Sequence, residues 1–502
     1  MSTIRRQSII SSFVVYFGFA LGFFNTYLFT REGGFTKEQY GLTGAFIALA
    51  SVMFSLASLG MPAYINKFFP YYQARLPRSK NDMLTWALLV STLGFGVVCV
   101  FGLAFKDVIL ERFQNSPGIG QYYYWIFPFG FGLTLFSVLE AYAWQHQKPV
   151  LTNFLKEVFF RLVITLLIVF TTMGVIQSFD IFIKSYAFLY LLVALILLAY
   201  LLFTRRAQFV FKVSKVTRRF FNKIIALCSF VWTGSLIFNV ANVFDTIVLT
   251  AVLPNGLAVA GIFTLAQNIS SLIQAPQRGI ISASIGPLSQ AWREKNFDKI
   301  NLIYQRSSIN QLIFSCAMFS LIWLNFEDGV LTFGLQPDYL QAKYVFLFIG
   351  LTRIIDMGTG VNAQIIGTST FWRFEFITGL VLLALSLPLN YVLTRQLGLI
   401  GPAISNLVAF SIYNCIRYYF LLNRFRMQPF TRQTLYTILL GIGCYAIAHW
   451  LFNNQTGFVW IVLRSAVFMA LFGAGVVMLK LTPDLLPVLA TIKKKLGIGN
   501  QQ

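Results

Sequence analysis

The stretch "QAPQRGIISASIGPLSQAW", Gln274 to Trp292, closes an apolar run of about thirty residues, long enough to cross a bilayer. Yet it carries Arg278 and two prolines, Pro276 and Pro287. A charge at the centre of a span costs about 2.5–3.5 kcal/mol on insertion scales, so Arg278 needs a physical reason to be there. With each residue advancing about 100° around a helix, Gln267, Ser271, Gln274, Arg278 and Ser282 fall within an arc of about 80°. A helix surrounded by lipid gains nothing from sorting its polar atoms onto one stripe. This stripe is therefore expected to face another helix or a water-filled cavity. Pro276, beside Gln274, is placed to bend the helix, and Pro287 to mark its exit into the cytoplasm.

A second stripe of this kind runs through Ser51, Ser55, Ser58, Pro62 and Asn66. Each of its positions lies 216 residues before its counterpart, from Ser51 and Gln267 to Asn66 and Ser282. Glu140 and Asp356 are separated by the same 216 residues. Parallel repeats in transporters leave weak internal symmetry of this sort.

Composition places these stripes in a membrane. The 502 residues are 57% hydrophobic and 11% charged, whereas a soluble domain has roughly 45–50% apolar and about 25% charged residues. Long apolar runs without the alternating ten-residue segments of a barrel indicate an all-α polytopic protein. Hydropathy gives about fourteen spans, near 9–29, 40–65, 83–105, 121–143, 151–173, 181–203, 224–250, 258–285, 303–325, 339–366, 371–394, 398–422, 434–452 and 457–479. They are called spans one to fourteen below. The first is too long for a signal-peptide core and lacks a small-residue cleavage site.

With the N-terminus inside, 24 of the 39 Lys and Arg fall in cytoplasmic segments. Both termini are then expected in the cytoplasm, including the basic run Lys493–Lys495. The net charge of +22 reads as loop charge at a membrane rather than a nucleic-acid surface. The densest basic block, "TRRAQFVFKVSKVTRRFFNK" (Thr204–Lys223), separates six spans from six. The expected organisation is an N-terminal lobe (1–203), a basic cytoplasmic linker (204–223), a second six-helix lobe (224–425) and two additional helices with a basic tail (426–502). The two six-helix bundles would be related by a pseudo-two-fold axis along the membrane normal.

Several side chains carry chemistry in this frame. Arg278 reads either as a cation snorkelling to headgroups or as a cavity cation for an anionic substrate, and its alignment with the stripe favours the second. In span seven, Ser235, Asn239, Asn242, Thr246 and Thr250 form a comparable stripe with Asp245 on its flank. An ionised carboxyl there must be protonated, paired or hydrated. It is either a structural group bonded to Asn242 or a neighbouring helix, or an ion-linked switch. Arg353 and Asp356 share a face three residues apart, as a local pair or as a cavity site. Glu140 has no cation three or four residues away, which makes it a candidate for ion coupling. Lys67 ends span two towards the cytoplasm, as a snorkelling group or a substrate contact. Glu375 and Arg417 sit near span ends and receive no role. The aromatic runs "QYYYWIFPF" (Gln121–Phe129) and "RYYFLL" (Arg417–Leu422) read as interface belts.

Five scattered cysteines and two isolated histidines show neither disulfide nor metal spacing. No Walker A, HExxH or His-containing triad is visible. No enzymatic activity and no cofactor are expected, and external loops of about fifteen residues at most argue against a polymerase or ligase with a large catalytic loop.

Several runs resemble the polysaccharide-exporter branch, the Wzx-type flippases, of the multidrug/oligosaccharidyl-lipid/polysaccharide (MOP) flippase superfamily. They include "GGFTKEQYGLTGAF" (Gly33–Phe46), Asp245 late in span seven, "VAGIFTLAQ" (Val259–Gln267) and "IGPLSQAWREKNFDKINLIYQRSS" (Ile285–Ser308). The pattern from Gly367 to Asn414 follows, including the "LGLIGPAIS" turn. Two departures are Thr246, where a basic residue often follows the aspartate, and Pro402, where alanine is common. The resemblance implies a two-lobed transporter of the bacterial inner membrane working by alternating access. Its substrate would be a polyprenyl-diphosphate-linked oligosaccharide. Polymerase and glycosyltransferases of the same pathway would be its partners. Arg278, Arg353, Gln274, Gln267, Ser271, Asn239, Asn242 and Lys67 would line the cavity, and Glu140, Asp245 and Asp356 would couple transport to protons or sodium. The alternative is an ion-coupled multidrug or small-cation antiporter of the same superfamily.

Overall fold

The computed structural model describes residues 3–453 and 455–484; the basic run Lys493–Lys495 lies outside them. Among the described residues the elements are helical and no β-strand forms. Helix covers the greater part of every expected span. Nine helical stretches among the described residues are long and apolar enough to cross a membrane, and the bent pair Pro337–Gly358 and Asn362–Thr368, which turns by 47°, makes a tenth. Span one enters as the shorter apolar helix Val14–Thr30, and the rest of the difference from fourteen is a matter of breaks. Arg373–Phe425 is 53 residues long, more than twice the roughly 20 residues of one span. It therefore holds spans eleven and twelve, joined at Gly398, whose φ of +61° favours glycine. Span five is split by a π-helical turn, Phe154–Phe159, ahead of Phe160–Thr172. Span eight is split into Gly256–Ser271 and Gln277–Arg293. A hydropathy average passes over such breaks because the residues in them are still apolar.

The chain forms two compact units, Met1–Leu265 with Leu387–Pro402, and Ala266–Ser386 with Ala403–Gln502. In the first unit, spans two, four and six form the centre. Their core is aromatic: Phe129 stacks on Tyr186 with ring centroids 5.0 Å apart, and Phe160 lies 4.5 Å from Tyr190. This corrects the belt reading of Gln121–Phe129, since Tyr122, Tyr123, Phe127 and Phe129 are buried and Tyr124 alone of its aromatics is exposed. Tyr123–Gln145 is a central helix, so most of its aromatics meet neighbouring helices, with Tyr124 and Trp144 left exposed.

Span seven is one helix, Lys215–Val252, of 38 residues. At about 1.5 Å per residue it is about 57 Å long, nearly twice the ~30 Å hydrocarbon core, so its basic N-terminal turns project beyond the bilayer. The linker that precedes it is strapped to the first unit. Asp82, fully buried, accepts from the Ser214 backbone N–H and from the Thr217 hydroxyl, both at 2.8 Å. The Tyr72 hydroxyl meets Thr217 at 2.7 Å, and Tyr64 donates to Tyr72 at 2.7 Å. Thr85 accepts from the Val210 N–H at 2.8 Å.

In the second unit, Phe297–Thr332 carries the two additional helices, Arg432–Leu451 and Phe458–Met478. Cys316, Leu324, Cys444, Ala448, Phe468 and Phe472 form their shared core. A buried ion pair fixes one end. Arg464 donates to Asp328 at 3.1 Å, to the Leu324 carbonyl at 3.0 Å and to the Gln455 carbonyl at 2.8 Å. Asp328 also accepts from Thr332 and from the Gly457 N–H, both at 2.9 Å, so its charge is fully solvated by protein.

Candidate transport site

Spans two and eight break at matching positions. Span two is Lys37–Ala57, a turn, then Met61–Arg75, and span eight is Gly256–Ser271, a turn, then Gln277–Arg293. Gln277 opens its helix 216 residues after Met61 opens its own, the spacing that relates the two polar stripes. Gly60, with φ +74°, makes the turn in span two; Pro276, at the N-cap, makes it in span eight. Pro70 and Pro287 both lie inside the second helices. Pro287 lies within a helix that continues to Arg293, although proline removes one backbone hydrogen bond there and crowds the preceding turn.

The break places Gln277 and Arg278 in the first turn of a helix. Gln277 donates its Nε2 to Asp356 at 2.8 Å. Asn414, from span twelve, donates to the other Asp356 oxygen at 3.3 Å. Asn414 in turn accepts from Thr359 and Asn362, each at 3.0 Å, and both flank the bend in span ten. Spans eight, ten and twelve thus converge on one carboxylate in the second unit. Its bonds come from neutral amides, which hold an anion without cancelling its charge. Arg353 lies one turn earlier on the same helix, and Arg278 is the residue after Gln277. Arg278 is exposed, while Gln274, Ser271 and Gln267 are half-buried along span eight.

The other expected residues distribute as follows. Asp245 is buried in the first unit, and Asn390 of span eleven donates to it at 2.5 Å. Thr394, one turn on, bonds Asn390 at 3.4 Å. Asn239 is half-buried and Asn242 exposed. Glu140 is buried and faces Lys156 of span five at 3.7 Å. Its cation is thus supplied by the next span, where a search three or four residues away does not reach. Lys67 is exposed on the second helix of span two, next to Asn66, which accepts from Gln145 at 3.0 Å. No group of three or more His, Cys, Asp or Glu residues suited to a metal occurs among the described residues.

Sequence reasoning passed over Gln277, which falls outside the stripe of Gln274 and Arg278, and over Asn390 and Asn414, each a lone amide in an apolar span, where lone polarity was the available signal. It also passed over Arg417. This side chain is buried, pairs with Glu375 of span eleven and lies 3.7 Å from the Tyr413 ring centroid. An arginine near a span end reads as interfacial, but span twelve turns this one onto span eleven.

No protein-family model matches the chain, and no curated protein matches it in sequence. Its fold does have counterparts. It is similar to the solved structure of the lipid II flippase MurJ in an inward closed conformation, with a TM-score of 0.74 and 15% identity over 94% of this chain and 98% of that one. The chain has the fold of MOP transporters. An inward-facing MATE-family multidrug resistance transporter of the MOP superfamily gives a TM-score of 0.64 and 17% identity, over 82% of this chain and 94% of that one. The MATE transporter VcmN of Vibrio cholerae gives 0.51 and 10%, over 84% and 96%. At these identities the likeness concerns the fold, and the residue roles have to be argued from the chain itself.

Proposed function

We propose that this chain is a flippase. It moves a polyprenyl-diphosphate-linked oligosaccharide from the cytoplasmic to the external leaflet of the bacterial inner membrane by alternating access. The product serves a surface polysaccharide such as O-antigen, capsule or exopolysaccharide. The observation that carries this reading is the likeness to a lipid II flippase over 94% of the chain, wider and higher-scoring than the likeness to the multidrug transporter, which covers 82%. The lobes that alternate are the repeated halves, 1–203 and 224–425, with 426–502 appended. Arg278 and Arg353 meet the diphosphate, whose oxygens suit a guanidinium fork. Gln267, Ser271, Gln274, Asn239, Asn242 and Lys67 supply hydrogen bonds to sugar and phosphate. Glu140, Asp245 and Asp356 couple the cycle to protons or sodium. Both termini lie in the cytoplasm, where glycosyltransferases of the pathway deliver the substrate; its polymerase acts after transfer.

The test is a strain whose own copy is replaced by Arg278→Ala. The variant should accumulate in the membrane at the normal level while surface polysaccharide is lost. Normal polysaccharide would remove Arg278 from the mechanism, and sensitivity of a deletion strain to drugs in place of polysaccharide loss would favour an antiporter.

A further inference from the structure

A groove of about 590 Å³ runs along the first unit, between spans two, three and four, with Trp232 of span seven at its side. Its walls are apolar: Leu49, Val52 and Leu56 on one side, Val97, Phe101 and Phe105 on the other. Two lining side chains carry N–H or O–H donors, and both spend them within the protein. Tyr123 donates to the Gly102 carbonyl at 2.6 Å, and Trp232 donates to the Ser55 carbonyl at 2.8 Å. The walls therefore offer a polar ligand no compensation for lost water, and a hydrocarbon fits them.

The dimensions and the rim specify which hydrocarbon. On span three the lining runs from Gly94 to Phe105, about 16 Å at about 1.5 Å per residue. That is close to one leaflet, half of the ~30 Å hydrocarbon core. The groove begins where span three ends and is closed there by Ile109 and Phe113. Lys106 follows the lining residue Phe105; its Nζ donates to the hydroxyl of Tyr124, the neighbour of the lining Tyr123, at 2.9 Å and lies 4.7 Å from the Tyr124 ring centroid. An ammonium has three N–H groups, so two remain for a phosphate at headgroup level.

We infer that this groove seats one acyl chain of an anionic phospholipid, with its phosphate on Lys106. In the orientation favoured by the basic residues, the lipid belongs to the external leaflet. The groove shares no residue with the Arg278–Asp356 region, and its occupancy does not depend on what the protein transports.

The full-length chain reconstituted in bilayers containing phosphatidylglycerol with a photoreactive acyl chain tests this directly. After detergent extraction and washing, irradiation should label residues 94–105 at least about ten-fold more than the exposed helix Phe458–Met478, a preference of ~1.4 kcal/mol. Leu56→Trp and Val97→Trp, which fill the groove from opposite walls, should each reduce that labelling to the level of the exposed helix, and Lys106→Gln should weaken it for phosphatidylglycerol. Equal labelling of both regions in the unaltered chain would mean annular lipid only and overturn the inference. Displacement of the label by an unlabelled polyprenyl phosphate would also overturn it, by assigning the groove to the transported chain.

Discussion

Arg278 raised the first question, and the break in span eight answers part of it. The turn before Gln277 lets one side chain reach Asp356 while the next, Arg278, stays exposed. The Asp356 cluster is built from amides, so removing one donor leaves a carboxylate short of a bond at a cost of about 1–3 kcal/mol. Gln277→Ala should lower the melting temperature in detergent modestly. The buried pair of Arg417 and Glu375 is a sharper case. Glu375→Ala leaves a guanidinium buried and unpaired, and the expected loss is about 3–5 kcal/mol. Adding Arg417→Met to that variant should restore most of the stability, because a buried pair can be replaced by apolar packing at little net cost. Thermal unfolding of the single and double variants separates these outcomes; an equally unstable double variant would mean that the pair supports more than itself.

At the scale of elements, what could be read in advance was the run of spans and the repeat; what could not was where they break. The 216-residue spacing, visible as two faint polar stripes, reappears as matching turns in spans two and eight. The turn in span eight was legible only as a bend at Pro276, and that in span two not at all, because Leu59 and Gly60 interrupt the apolar run too briefly to lower a hydropathy average. The Glu140–Lys156 and Asp245–Asn390 contacts were illegible for another reason: each joins two spans, and periodicity within one span carries no record of its neighbour. Glycine shows how closely such neighbours approach. A Cβ on Gly41 would strike the Leu257 carbonyl, and one on Gly261 the Lys37 carbonyl, so spans two and eight touch backbone to backbone at these ends. Gly41→Leu should therefore cost at least about 1–3 kcal/mol by overpacking. Gly443→Ala, which meets nothing within 4 Å, should be neutral or gain up to about 1 kcal/mol. The linker offers an independent check. Asp82→Ala removes two charge-assisted bonds that hold Ser214 and Thr217, each worth roughly 1.5–3 kcal/mol. Trypsin should then cut the Arg-rich and Lys-rich segment 204–223 at least about ten-fold faster. An unchanged rate would show that the other straps suffice.

For the whole molecule, the additional helices are held by a single long one. Phe297–Thr332 is the post on which Arg432–Leu451 and Phe458–Met478 are mounted, by an apolar core along its length and by Arg464–Asp328 at one end. The N-terminal turns of Lys215–Val252 add Lys215, Arg218, Arg219 and Lys223 to the charge asymmetry on which the proposed orientation rests. The proposal of a lipid-linked oligosaccharide as cargo is what remains to be measured most directly. Vesicles reconstituted with the full chain and a polyprenyl-diphosphate oligosaccharide can be probed with a glycosidase confined to one side. The account predicts that the protein renders accessible the half of the substrate that is protected in protein-free vesicles, and that Arg278→Ala in the same vesicles does not. Protection unchanged by the unaltered, correctly inserted protein, with an ion gradient of either sign imposed, would contradict it.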